Sequence, residues 1–288
     1  MISFLLPILT TLSKGGLNVI DRHFLKKQTS NLHLYILQNC ITAAIIGLVI
    51  SCFLDSLKEL GDTFFTLEAF FWSCLLQLVS FSFSYNFQKQ SLQKVIFISK
   101  IGDTLLAPLL ISLFFFLFPT YFQFDFKISA YLIALASVLP LLISRSSLAF
   151  IFNKASLLLV GTVLIQCIAT SLSKSSPQNL ISYWNLTLSI ILWRIPFSLG
   201  TYLFSIKKRE PIKIGTLFKK GSLFRAILMI TSYGTFILTI NYTNPLITLP
   251  IINSSPLVAS LMARLFLKEP LKKREITALS GLCISAMI

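Results

Sequence analysis

The sequence predicts an all-α integral membrane protein with ten transmembrane helices in two inverted five-helix repeats. The first observation is composition: 55% of the residues are hydrophobic and only 12% are charged, whereas a soluble domain has about 25% charged residues. The second is that apolar segments recur along the whole chain, each close to the roughly 20 residues that a membrane-spanning helix needs. The third is an internal repeat at an offset of 148 residues.

The repeat is clearest in two apolar segments that each begin with proline. Residues 108–118 and 256–266 are identical at six of eleven positions without any gap. A shared offset in several separate clusters indicates duplication, and a repeat found early prevents a wrong fold assignment. The offset also aligns Lys26, Asn31, Leu32, Tyr35, Ser84, Tyr85, Ile128 and Ala130 with Lys174, Asn179, Leu180, Tyr183, Ser232, Tyr233, Ile276 and Ala278.

Each repeat holds five apolar spans, an odd number, so two halves of similar fold must enter the membrane from opposite sides. The loop at 55–68 carries four acidic residues and one Lys, whereas its equivalent at 207–220 carries six basic residues and one Glu. Opposite charge on equivalent loops agrees with opposite topology. The first repeat, residues 1–145, has spans at about 2–20, 32–54, 66–86, 94–118 and 128–145; the second, residues 146–288, has spans at about 150–172, 178–206, 222–241, 245–267 and 274–288.

The basic residues predict the orientation of the chain. Eighteen Lys and Arg follow odd-numbered spans and three follow even-numbered spans. The positive-inside rule therefore places the odd loops in the cytoplasm and both termini outside. In a soluble protein the net charge of +15 would suggest nucleic acid, but loop charges that set topology explain it here, so we expect no nucleic-acid partner.

The sequence contains no pattern that predicts a cofactor or a metal. The five cysteines all lie in apolar segments without metal-ligand spacing, and we interpret them as packing residues. Neither a Gly-rich phosphate loop nor a Ser/His/Asp set is present. The first segment has no basic n-region and no cleavage site, so we expect a retained helix and not a signal peptide.

The end of the chain resembles a known family. Residues 255–271 form a Ser-Pro-Leu-Val-Ala-Ser-Leu helix followed by Leu-Lys-Glu-Pro-Leu, and Ile-Thr-Ala-Leu-Ser-Gly follows at 276–281. This resembles the end of EamA-type transporters of the drug/metabolite transporter (DMT) superfamily. Glu269 matches the Glu of the family's Leu-Gly-Glu-Arg-Leu turn, while Lys268 and Pro270 replace Gly and Arg. The first half lacks a Gly-Glu turn, and the chain has 26 Phe and only 11 Gly where the family is rich in Gly and Ala.

The resemblance implies a secondary transporter, an exporter or an exchanger of a small polar metabolite such as an amino acid or a nucleotide-type cofactor. It implies a substrate cavity among spans three, four, eight and nine. It also implies that both termini face the cytoplasm, opposite to the charge bias. We expect a multi-pass protein of the cell membrane (the inner membrane in a bacterium), a monomer or homodimer, with a proton or a counter-substrate as coupling partner.

Four ionisable residues stand well inside predicted spans, where each is a functional candidate because burial of charge is costly. Lys100 and Asp103 are three apart and share a helix face, so they can neutralise one another. That pair is either a buried structural contact or an element that opens for substrate or a proton. Lys14 and Arg194 have no counter-ion nearby in the sequence. An anionic or zwitterionic substrate would supply one, and a guanidinium holds an oxyanion bidentately.

Four uncharged polar residues complete the candidate site: Tyr85, Tyr233, Asn253 and Ser254. Tyr85 and Tyr233 are repeat-equivalent. The alternatives are that the tyrosines anchor the membrane interface and that the Asn and Ser join helices. Two other classes remain open for the whole protein, an integral-membrane enzyme and a non-transporting assembly protein. The absence of enzyme motifs disfavours the first, and charges without a local counter-ion disfavour the second.

Overall fold

A computed structural model describes residues 2–27, 31–119, 128–142, 153–172, 180–205, 220–242, 251–270 and 273–286. Within these ranges every regular element is a helix. Four helices are long and apolar enough to cross a membrane: Leu32–Phe53, Leu67–Lys89, Leu92–Leu117 and Ser182–Phe204. The all-helical prediction is therefore confirmed for the described part of the chain. The boundary between the predicted halves, at 145/146, and the long basic loop at 207–219 lie outside it.

The helices follow the predicted spans closely. In the first half they are α1 (Ile2–Lys27), α2 (Leu32–Phe53), α3 (Leu57–Phe64), α4 (Leu67–Lys89), α5 (Leu92–Ile101), a π-helical turn (Gly102–Leu106), α6 (Ala107–Leu117) and α7 (Ile128–Leu142). In the second half they are α8 (Lys154–Leu172), α9 (Leu180–Phe204), α10 (Lys220–Tyr242), α11 (Ser255–Leu267) and α12 (Lys273–Ser285).

Two differences from the sequence prediction affect the site. Helix α1 continues to Lys27, about two turns past the predicted end of the first span at residue 20. Its last turns carry Asp21 and Arg22, which are both buried. The acidic loop at 55–68 contains a further short helix, α3, whose only buried residue is Leu60. The length of an apolar run predicts neither feature. Charged residues inside a helix end the apolar run, but the helix itself continues.

The fourth and ninth predicted spans are both interrupted near a proline. In the fourth, the π-helical turn separates α5 from α6, and the Ala107 amide donates to the carbonyl of Gly102 across it. In the ninth, a turn at Ser254 precedes α11, and Pro256 lies in the first helical turn. A proline at the start of a helix removes a donor that has no intrahelical partner there. The beginning of the ninth span, residues 245–250, lies outside the described residues.

Small residues bring several helices into close contact. A side chain at Gly15 of α1 would come within 3.3 Å of the backbone of Ala259 in α11, and one at Gly281 of α12 would overlap Ser137 of α7. Close approach through Gly, Ala and Ser is usual where helices associate in a membrane. The main apolar cluster lies at the same centre and includes Ala259 with α1, α2 and α4 side chains.

Candidate functional site

Arg194 lies in the interior of the helix bundle and is the largest side chain that is fully buried, at 1% exposure. Its Nε donates to Oε1 of Gln77 at 3.1 Å, and its Nη1 donates to the Tyr233 hydroxyl at 3.0 Å. These partners come from α4 and α10, so the guanidinium joins three helices. Both are neutral. Among the described ion pairs none includes Arg194.

The neutral partners of Arg194 are themselves held in position. The Gln77 amide nitrogen donates to the Ser198 hydroxyl at 2.8 Å, and that hydroxyl contacts the Cys40 sulfur at 3.4 Å. Because Ser198 is one turn after Arg194 on α9, the two residues hold both ends of one glutamine amide. Sequence reasoning found Arg194 and Tyr233 but missed Gln77. A glutamine in the middle of an apolar span was the available signal.

The predicted Lys100–Asp103 pair exists, with Nζ and Oδ2 2.8 Å apart. The side chain of Lys100 is 8% exposed, whereas that of Asp103 is 42% exposed. Asp103 lies in the π-helical turn, and its other oxygen accepts a contact from the Cys167 thiol at 3.5 Å. A π-helical turn inside an α-helix is frequent at functional sites. A carboxylate in mid-membrane is costly unless it is paired, and Lys100 supplies the partner here.

Lys14 approaches this pair from α1. Its ammonium lies 4.4 Å from the centre of the Phe236 ring, a cation–π contact, and it is close enough to Lys100 and Asp103 to interact electrostatically with both. Lys14 is half-buried. The structure therefore brings three of the four predicted charges, Lys14, Lys100 and Asp103, into one cluster and leaves Arg194 apart from them in contact with other residues.

One face of α10 connects the charged groups. Arg225, Met229, Tyr233 and Phe236 recur at helical spacing. Arg225 and Arg194 both contact the Met229 sulfur, at 3.8 and 4.0 Å. Phe236 receives Lys14 further along the same face. The stripe thus passes from a paired arginine, through the Arg194 group, to the cluster around Asp103.

Two buried ion pairs were missed by the sequence analysis. The Arg225 guanidinium binds the carboxylate of Asp21, with Nη2 2.9 Å from Oδ2, and Arg22 Nε lies 2.9 Å from Glu269 Oε1. Asp21 and Glu269 are buried acids that lie outside the predicted spans. Asp21 was overlooked because the first span was predicted to end at residue 20. The partners are also 204 and 247 residues apart, a separation that no local pattern reveals.

The added pairs leave the charge balance unchanged. They contribute two acids and two bases, so Lys14 and Arg194 remain the two cations in excess once Lys100 is paired with Asp103. The excess of two positive groups inferred from the spans therefore persists among the described residues. An interior with this imbalance is stabilised by water or by an anion.

The remaining candidates lie elsewhere. The Tyr85 hydroxyl accepts from Lys89, one turn along the same helix, and the lysine ammonium lies 4.1 Å above its ring. Asn253 Nδ2 donates to the carbonyl of Ala286 at 2.8 Å, and the Ser254 hydroxyl donates to the carbonyl of Ile251 at 2.6 Å. None of these three side chains joins the Arg194 group, so Tyr85 and Tyr233, which the 148-residue offset aligns, have different surroundings.

The C-terminal half of the chain, which contributes Arg194, Tyr233 and Glu269, matches the EamA-like transporter family over residues 153–288. This segment is similar to EamA-like transporters. The resemblance inferred from the last helices is thus confirmed. No curated protein matches the chain. Family members are transporters rather than enzymes, and with the four long apolar helices this makes the chain an integral, multi-pass membrane protein.

Three charged residues of the EamA-like segment contact the first half of the chain. Arg194 reaches Gln77 in α4, Arg225 reaches Asp21 in α1, and Glu269 reaches Arg22. The Glu of the family's C-terminal turn is therefore buried, at 5% exposure, and ion-paired in this chain. Each of these three EamA-like residues therefore makes at least one polar contact with the first half of the chain.

Proposed function

We propose that this protein is a secondary transporter that moves a small anionic or zwitterionic metabolite, such as an amino acid or a nucleotide-type cofactor, across the cell membrane. The observation that carries the proposal is Arg194, a fully buried guanidinium held by an amide and a phenol without a carboxylate. A buried charge of this kind is costly unless it is compensated. A carboxylate or phosphate of the substrate would compensate it bidentately.

We further propose ten spans in two inverted repeats, residues 1–145 and 146–288. The helix contacts support this, because most of them have a counterpart. Shifting both helices of a contact by the 148-residue offset gives another pair of helices that are also in contact. Helix α1 packs on α10 as α8 packs on α4, and α2 packs on α10 as α9 packs on α4. Helix α1 packs on α11 as α8 packs on α6, while α2 with α9 and α7 with α12 pair equivalent helices directly. Substrate sites of such transporters lie near mid-membrane where the repeats meet.

The position of the Arg194 group supports the same reading. Gln77 and Tyr233 lie in spans three and eight, two of the spans that the family resemblance assigns to the cavity. The Asp103 carboxylate, accessible in mid-span beside Lys100 and Lys14, is our candidate for the coupling element. A proton or a counter-substrate would act there, since the sequence has no nucleotide-hydrolysis motif.

The test is transport by purified protein in proteoliposomes. A panel of labelled solutes, with acidic and neutral amino acids, nucleotide-type cofactors and cationic controls, is assayed under imposed gradients and counter-load. We expect an anionic or zwitterionic solute to move. Arg194→Gln should lower its kcat/KM by about 100-fold, the loss of a charge-assisted bidentate contact of about 3 kcal/mol. Arg194→Lys should recover only part, since an ammonium lacks the planar fork.

Matched tyrosine variants control for nonspecific damage. Tyr233→Phe removes a hydroxyl that touches Arg194, so we expect a higher KM. Tyr85→Phe removes the repeat-equivalent hydroxyl, which touches only Lys89 among the contacts described, so we expect transport close to that of the parent protein. A cationic substrate, or unchanged kinetics for Arg194→Gln, would contradict the assignment. If no solute moves under any condition, the transporter proposal itself fails.

A further inference from the structure

Two consecutive residues of α1 each form a buried ion pair with the second half of the chain. Asp21 receives the Arg225 guanidinium of α10 and a hydrogen bond of 2.6 Å from the Tyr35 hydroxyl. Arg22 binds Glu269, which follows α11. All four charged side chains are at most 10% exposed. We call these four residues the ion-pair layer.

The ion-pair layer is fully hydrogen-bonded. Besides Arg22, Glu269 accepts from the Leu92 amide at 2.9 Å, so its carboxylate caps the first turn of α5. Arg22 also donates to the carbonyl of Phe87 near the end of α4. The layer therefore connects α1, α2, α10 and the end of α11 with the α4–α5 turn. Fully satisfied buried networks hold their elements in one arrangement.

All of these residues lie at one end of the bundle. Asp21 and Arg22 are in the last turns of α1, Arg225 is in the second turn of α10, and Leu92 begins α5. Tyr233 is eight residues beyond Arg225 on α10, which is about 12 Å deeper at 1.5 Å per residue. Asp103 is eleven residues beyond Leu92, about 16 Å deeper. The layer thus covers the Arg194 group and the Asp103 cluster from one side.

That side is the one with the basic loops. The connections beside the layer follow spans one, three, seven and nine, the odd-numbered loops that hold most of the Lys and Arg. The positive-inside rule therefore places the layer at the cytoplasmic end. At the greater depth of Asp103 the side chain is 42% exposed, whereas the charged side chains of the layer are at most 10% exposed.

On the basis of the proposed function, we propose that the ion-pair layer is the cytoplasmic gate, closed in this structure. Asp21–Arg225 and Arg22–Glu269 separate when α1 moves away from α10 and the end of α11, and the Arg194 group then becomes open to the cytoplasm. Ion pairs suit this task because the loss of hydration offsets most of their attraction. Separated charges that meet entering water regain that hydration, which apolar side chains do not.

A single cysteine below the gate reports its opening. Met229 is 2% exposed and lies one turn deeper than Arg225 on the same face. Met229→Cys is made after Cys40, Cys52, Cys74, Cys167 and Cys283 are replaced by Ser. A membrane-impermeant maleimide is then applied to each side of oriented vesicles. We expect Asp21→Asn and Glu269→Gln to raise the labelling rate from the basic-loop side by about tenfold, within the range of a single coupling.

Charge reversal and an exposed pair provide the controls. The exchange of Asp21→Arg with Arg225→Asp should restore protection of the cysteine. Asp55→Asn, which breaks an exposed pair with Lys58 of 3.9 Å, should change nothing. Size-exclusion chromatography in detergent verifies folding of each variant; if Asp21→Asn fails it, Glu269→Gln decides. Equal labelling rates of the cysteine in the parent and in the folded gate variants would contradict the gate proposal. An exchanged pair that does not fold, or that leaves the labelling rate high, would contradict it as well.

The labelling needs no substrate, which separates this proposal from the transporter proposal. A parent protein that moves no solute contradicts the proposed function, while the labelling ratio still decides whether Asp21 and Glu269 close this end. Conversely, if the parent protein transports a solute but the gate variants do not change the labelling rate, the transporter proposal is supported and the gate proposal is wrong.

Discussion

Arg194 of α9 and Arg225 of α10 are both buried, and both contact Met229. They differ in their counter-ion: Arg225 has the Asp21 carboxylate, and Arg194 has neutral acceptors only among the described contacts. This difference is the reason that we assign Arg225 to the fold and propose Arg194 as a ligand-binding residue. Removal of one partner of a buried pair leaves the other charge uncompensated, whereas removal of an uncompensated charge relieves the fold.

Methionine replacements at the two arginines should therefore have opposite effects on stability. We expect Arg225→Met to lower the free energy of unfolding by about 3–5 kcal/mol, because Asp21 stays buried without a partner. We expect Arg194→Met to raise the melting temperature while transport is lost. Thermal unfolding in detergent, measured beside proteoliposome transport, gives both readings. A destabilised Arg194→Met would mean that this arginine is structural.

The sequence predicted single residues well where the information was local. Lys100 and Asp103 are three apart, so helical spacing alone indicated their pair, and Arg194 was visible as a charge in the middle of an apolar span. Long-range partners were not predictable, since nothing in one sequence links Asp21 to Arg225 or Arg22 to Glu269. Asn253 and Ser254 looked equally suitable as ligands, yet their hydrogen bonds go to nearby backbone carbonyls.

At the scale of elements, the interrupted fourth span is the feature most relevant to mechanism. The π-helical turn places Asp103 between α5 and α6, in contact with α7 and α8. The proline at 108 indicated a kink in this span. It did not predict a π-helical turn, because the extra residue of such a turn produces no recognisable sequence pattern. Helix boundaries were predicted least well where charged residues continue a helix, as at the end of α1.

Neutralising the pair in this turn tests whether it couples transport to a gradient. The double variant Lys100→Gln with Asp103→Asn removes one base together with its acid, so the net charge of the interior is unchanged and its fold should survive. We expect gradient-driven accumulation of substrate to disappear while exchange against internal substrate continues, since exchange requires no net movement of the coupling ion. Asp103→Asn alone, which leaves Lys100 charged and buried, should in addition reduce stability. Accumulation at the parent level in the double variant would show that the pair is only structural.

At the scale of the whole molecule, helices of one half of the chain pack mainly against helices of the other half. The two halves therefore do not form separate domains. Helix α1 packs more on α10 and α11 than on its own half, and α4 packs on α8 and α9. In a protein built this way, movement of one half against the other repacks the interfaces that carry Arg194 and the ion-pair layer. The all-helical class and helix positions were predictable from hydropathy, but this exchange of partners was not, because hydropathy says nothing about neighbours.

The orientation of the chain in the membrane decides the side that the ion-pair layer closes. The bias of 18 to 3 basic residues places the odd-numbered loops and the layer in the cytoplasm, whereas the family resemblance implies cytoplasmic termini and thus the reverse. The acidic loop 55–68 and its basic equivalent 207–220 agree with the charge bias.

Cysteine labelling tests this orientation. In a protein without its native cysteines, Lys213→Cys should react with an impermeant thiol reagent only after the cells are opened. Ile288→Cys serves as the matched position and should react in intact cells. Reaction of Lys213→Cys in intact cells would reverse the orientation and make the layer an external gate, with its chemistry unchanged.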